Sequence, residues 1–150
     1  MIRVVDVETS WQVTENGGYD PSPFHPDNIL VSVGIDDEYF FTNHSEKIDK
    51  GCFHKIQELL DTTTLLVGHN IKFDLMWLLE SGFKYEGRVY DTMIGEYILN
   101  KGIRKSLTLE MCCRRRKIGS KDNRIKEFTD RGIPFQNIPH QVVEQYGKMD

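Results

Sequence analysis

The sequence predicts an α/β domain: a mixed sheet, an antiparallel meander joined by parallel strands, flanked by helices. Three observations carry this. Apolar, β-branched runs at residues 3–9, 28–35 and 38–42 are separated only by loop and turn residues, as a meander requires. From residue 46 onward apolar residues recur at helical spacing, interrupted at 65–67 by a short run that suits a buried parallel strand. The resulting order is β-β-β-α-β-α-β-α-α-α, and 150 residues are enough for one such domain with its own core.

Each element has its own justification. The first strand, residues 3–9, carries Asp6 and Glu8 near its end. Side chains alternate along a strand, so the two acids share one face. Paired carboxylates in a core strand repel each other, and a hard divalent cation such as Mg²⁺ or Mn²⁺ would offset that repulsion. Residues 16–26 contain Pro21, Pro23 and Pro26 among Gly, Asn and Asp, which reads as a surface loop at the rim of any site on the first strand. Asp36 and Asp37 make the tight turn between the second and third strands. Ile48, Phe53, Ile56, Leu59 and Leu60 predict a helix over 46–61, capped by Ser45. A strand at 65–67 ends in Gly68, and a helix over 71–80 is closed by Gly82. Asp91 caps a helix over 92–99, and Ser106 caps another over 107–116. Residues 117–138 read as polar and irregular, and a last helix starts near Pro139 and runs to the end.

Net charge is −4, but its distribution is uneven: residues 1–100 carry −10 and residues 101–150 carry +6. This suits an acidic metal centre beside a phosphate-facing surface, and equally suits solvated surface charge. The run of Arg114, Arg115, Arg116 and Lys117 carries the same two readings, strand contact or a helix C-terminus favoured by the dipole. Three cysteines, two of them adjacent, fit a reducing cytoplasm rather than a disulfide framework. No stretch is apolar enough to cross a membrane, and no secretory leader is visible, so the expected location is cytoplasmic.

Two further constellations complete the first. Asn70, Phe73 and Asp74 fall at the start of the helix that follows Gly68, with Asp74 in its first turn, where the dipole favours an ionised carboxylate. Tyr146 and Asp150 are spaced i, i+4 on the final helix and so face one way. Asp6-x-Glu8, Asn70-x-x-Phe73-Asp74 and Tyr146-x-x-x-Asp150, in this order, resemble the three motifs of the DEDD (DnaQ-like) 3′–5′ exonucleases, in the branch with a tyrosine in the third motif. The segments around Asp91 and Leu107 resemble proofreading domains of family A DNA polymerases, and residues 19–32 resemble phage members of that group.

That resemblance implies a ribonuclease H-like fold over residues 1–150 as a single 3′–5′ exonuclease domain, shortened at its C-terminal end. It implies two divalent ions, Mg²⁺ or Mn²⁺. Asp6 would bridge them, Glu8 and Asp150 would complete one, and Asp74 would serve the other. Tyr146 would orient the attacking water, its ordinary pKa near 10 making it a poor base. Thr9, His69, Asn70 and Phe73 are the expected substrate contacts, the substrate a single-stranded DNA 3′ end, and a polymerase domain or subunit the expected partner. The acids alone leave open an exoribonuclease of the same superfamily. An inactive, shortened domain serving as a binding module also remains open.

Overall fold

The computed structural model describes residues 1–119 and 124–148. In chain order the elements are β1 (Ile2–Thr9), β2 (Gln12–Val13), β3 (Tyr19–Asp20), β4 (Leu30–Ile35), β5 (Glu38–Phe41), α1 (Cys52–Asp61), β6 (Leu65–Gly68), α2 (Ile71–Glu80), β7 (Arg88–Asp91), α3 (Thr92–Leu99), α4 (Leu109–Arg116), α5 (Arg124–Asp130), a 3₁₀ turn (Phe135–Asn137) and α6 (His140–Gly147). Five strands form one sheet in the order β5-β4-β1-β6-β7. β4 pairs antiparallel with β1 and with β5, whereas β6 runs parallel to β1 and to β7. This is the ribonuclease H-like mixed sheet expected from the sequence.

β1 is the middle strand. Val5, Val7 and Thr9 are buried on one face, and Asp6 and Glu8 are half-buried on the other. Its pairing with β4 slips between Glu8 and Thr9, where Glu8 faces Ser32 but Thr9 faces Leu30. Val31 is the extra residue, a bulge at the end of the strand that carries the acids. Two cores form. Val5, Val7, Val33 and Ile35 pack with Ile56, Leu60, Leu66, Trp77 and Leu78 from the sheet, α1 and α2. Val31 and Phe41 pack with Ile125, Phe135, Ile138 and Val143, which brings α5 and α6 against the sheet.

The structure departs from the sequence expectation at four places. The loop expected over 16–26 begins with a two-stranded hairpin, β2 with β3, and only the proline segment after Asp20 is irregular. The first helix starts at Cys52, six residues later than expected, with Gly51 in the left-handed region at its N-terminus. Ser45 is used elsewhere: its hydroxyl donates to Gln136 O, and Asp49 accepts from Phe41 N–H, so residues 45–49 tie β5 to the segment before α6. α4 starts at Leu109 with Thr108, not Ser106, accepting from Met111 N–H. Residues 124–130, expected to be irregular, form α5, because Ile125 and Phe128 at i, i+3 anchor it on the second core.

Leu66 is fully buried in the central parallel strand. Leu66→Ala removes that packing and leaves a cavity, which costs about 2–5 kcal/mol. The urea midpoint is expected to fall accordingly with an unchanged slope. An unchanged midpoint would contradict the described core.

Candidate active site

β1 outruns its parallel neighbour. The β1–β6 pairing ends at Val4 opposite Val67, so the backbone of β1 beyond Val4 lacks a strand on that side. α2 fills the place: Val7 N–H donates to Asp74 Oδ1 at 3.0 Å. Gly68 permits the approach, since a Cβ there would lie 3.1 Å from Ile71 Cβ and 3.3 Å from Val5 O. Asn70 then turns the chain into α2 with φ 63°, and its N–H donates to Asp91 Oδ1 at 3.0 Å. Asp91 Oδ1 also accepts from Met93 N–H, so one carboxylate fixes the starts of α2 and α3.

Asp74 is 4% exposed. Burial, and next the charge of Asp6, raise its carboxyl from the ordinary 3.8 to about 8, against the lowering effect of the Val7 N–H. Asp6 and Asp74 therefore form a carboxylate pair, with Glu8 two residues along the Asp6 face. Hard oxygen donors, like-charged and partly desolvated, are what Mg²⁺ or Mn²⁺ takes. The expected convergence of four acids is realised only this far. Among the described residues no three His, Cys, Asp or Glu side chains gather as a metal-holding group, and Asp150 lies outside the described residues.

α6 lies against β1. Its start is fastened: Glu46 Oε2 accepts from His140 N–H at 3.1 Å and from the His140 ring Nδ1 at 3.0 Å, and those bonds hold the Glu46 carboxyl below its ordinary value. Next to it buried His44 donates from Nε2 to Ile138 O at 2.7 Å. Val142, Val143 and Tyr146 pack in the second core, so this side of α6 is its buried one.

The remaining sequence-chosen residues separate. Thr9 is buried at the end of β1, Asn70 is exposed at the α2 N-terminus, and Phe73 packs partly against the first core. His69 is committed within the protein. Its Nε2 donates to Leu107 O at 2.7 Å, and its Nδ1 is hydrogen-bonded to the Thr92 hydroxyl at 2.9 Å, a hydroxyl that also lies 3.2 Å from Gly68 O. Arg115 and Arg116 both pair with Glu96, and Arg114 with Glu110. The basic run thus ties α4 to α3 and to itself. Sequence reading did not single out Tyr39 and Ser32, whose hydroxyls are 2.7 Å apart. The available signal was Ser32 alone among apolar residues in β4, which marks a hydroxyl needing a partner. Past the end of β1 a cavity of about 600 Å³ is lined by Trp11, Tyr19, Pro21, Thr129 and Asp130.

Asp74 binds its proton more tightly folded than unfolded, so its contribution to stability is complete below about pH 4 and is lost as pH rises through about 8. Asp74→Asn keeps the acceptor for Val7 N–H and removes this loss. The metal-free variant is expected to gain on the order of 1–3 kcal/mol over the parent at pH 9, and nothing at pH 4. Equal denaturant midpoints at both pH values would contradict the described environment of Asp74.

A family model described as 3′-5′ exonuclease matches residues 14–115. The match includes the Asn70 to Asp74 segment, and Asp6, Glu8 and Tyr146 fall outside it. No curated protein sequence matches this chain. Among solved structures, Brucella melitensis NrnC with bound Mg²⁺ superposes with a TM-score of 0.62 at 18% identity, over 99% of this chain and 65% of that one. The chain thus spans 65% of the length of that relative, and the likeness is one of fold.

Proposed function

Because the chain belongs to the 3′-5′ exonuclease family, we propose that it removes nucleoside 5′-monophosphates one at a time from the 3′ end of single-stranded DNA, in the manner of a polymerase proofreading domain. The observation that carries this is Asp74, buried beside Asp6 and bonded to the β1 backbone at Val7. A fold relative that holds Mg²⁺ supports divalent metal use.

In this reading Asp6, Glu8, Asp74 and Asp150 would hold two Mg²⁺ or Mn²⁺ ions. When bound, such ions activate water and offset charge on the leaving 3′ oxygen. Asp74 must give up its proton for this; burial and the Asp6 charge hold that proton, so a cation would displace it more readily as pH rises. Tyr146 orients the attacking water through its hydroxyl. Thr9, Asn70 and Phe73 lie at the ends of β1 and α2, where an unpaired strand end would arrive. His69 supports them by fixing the α2 start to the segment before α4. A polymerase domain or subunit is the proposed partner, and the cytoplasm the proposed location. Among the described residues no helix is long and apolar enough to cross a membrane.

The test uses a 5′-labelled single-stranded DNA oligomer and its RNA counterpart. With Mg²⁺ or Mn²⁺ the DNA is expected to yield a ladder of shortening products, blocked by a 3′-phosphate. Asp6→Ala is expected to lower the rate at least about 10³-fold. Internal cutting, or an Asp6→Ala protein as active as the parent, would contradict the proposal. Faster digestion of the RNA would move the substrate class to RNA with the same chemistry.

A further inference from the structure

Tyr39 is an aromatic side chain on the carboxylate side of the sheet that the proposed chemistry does not use. Asp6 is paired with Gly34, and Gly34 with Tyr39, so all three stand in one row across β1, β4 and β5. Paired residues share a face, which places Tyr39 on the side of Asp6 and Glu8. Gly34 leaves room for the ring to lean across: a Cβ there would lie 3.3 Å from Tyr39 Cδ2. At the ring's tip the hydroxyl meets Ser32 Oγ at 2.7 Å, and Ser32 is itself paired with Glu8. Burial, and next the charge of Glu8, push the phenol above its ordinary value, so it stays neutral beside the acids.

From the opposite side α6 rests on the same ring. A Cβ at Gly147 would lie 2.7 Å from the Tyr39 hydroxyl oxygen and closer still to its ring. Gly147 is helical and is not among the residues with positive φ, so its own backbone does not call for glycine. Glycine also weakens a helix relative to alanine. The demand for it comes from Tyr39. The residue before Gly147 is Tyr146.

We infer that Tyr39 is a positioning residue, a wedge between Gly34 and Gly147 whose thickness sets how deeply α6 brings Tyr146 toward the carboxylate face of β1. This rests on the reading of that face as the exonuclease site. The wedge is the ring itself, and its hydroxyl ends against Ser32 Oγ. A smaller residue at 39 lets α6 settle too far, and a methyl group at 147 holds it too far out.

The experiment is a double-mutant cycle with Tyr39→Leu, Gly147→Ala and the two combined, with Tyr39→Phe as the conservative variant. Circular dichroism confirms folding. Mn²⁺ affinity of the metal-free protein is read by calorimetry, and kcat and KM are read on a single-stranded oligomer. Tyr39→Leu and Gly147→Ala are each expected to lower kcat at least tenfold with KM within threefold, and to weaken Mn²⁺ binding at least threefold. The combined variant is expected to lose less than the product of the single losses, because removing the ring makes room for the methyl. Tyr39→Phe is expected to stay within threefold of the parent in every readout. Should Tyr39→Leu not fold, Gly147→Ala against Tyr39→Phe/Gly147→Ala carries the test: both are expected to show the same loss. A parent that binds Mn²⁺ and digests the strand while Gly147→Ala and Tyr39→Leu match it overturns the inference alone. Losses that multiply in the combined variant do the same. A parent that neither binds Mn²⁺ nor digests a strand overturns the reading of the face as a nuclease site, and the inference with it.

Discussion

The hydrogen bond from Val7 N–H to Asp74 Oδ1 is the constraint on which the acidic end of the sheet depends. It exists because β1 extends past β6 and leaves backbone groups that another element must satisfy. α2 can supply the partner only by starting close to β1. That closeness requires Gly68, against which Ile71 and Val5 O already press, and the left-handed turn at Asn70. The same bond draws a carboxylate into the protein beside Asp6. Backbone satisfaction and the placing of an acid pair are thus one event.

Two effects then compete at Asp74. Its position in the first turn of α2 favours the ionised form, an effect worth about 0.3–1 kcal/mol at a surface helix end. Burial and the Asp6 charge oppose it and win, since the carboxyl is raised rather than lowered. Without a cation the folded protein therefore keeps a proton there near neutrality. A divalent ion would replace that proton, coupling metal affinity to pH in the direction of stronger binding at higher pH.

Much of this was legible in the sequence, for physical reasons that can be named. Period-two alternation placed Asp6 and Glu8 on one face of β1, and Gly68 followed by Asn70 and Asp74 marked the strand-to-helix junction. What stayed hidden was set by tertiary contacts. Ser45 looked like a helix cap, yet its hydroxyl serves Gln136 O, ninety-one residues away. His69 looked available to substrate, yet Thr92 and Leu107 take both ring nitrogens. The arginines of α4 read either as a strand contact or as a helix C-terminus favoured by the dipole, and neither reading held the ion pairs by which Glu96 on α3 takes two of them. α5 was missed because its seven residues bear only two anchoring side chains, Ile125 and Phe128. Gly147 carried no turn signal at all, and its reason is a tyrosine on another element.

The central claim is that Asp74 and Asp6 form a carboxylate pair that a divalent cation completes. Carbon-13 NMR of the Asp74 carboxyl, followed through a pH titration with and without Mg²⁺, tests it most directly. The account expects a midpoint well above 3.8, toward about 8, in the metal-free protein. Saturating Mg²⁺ should drop that midpoint by more than one unit, and Asp6→Asn should lower it without metal. A carboxyl that titrates near its ordinary value, indifferent to Mg²⁺ and to Asp6, would contradict the account.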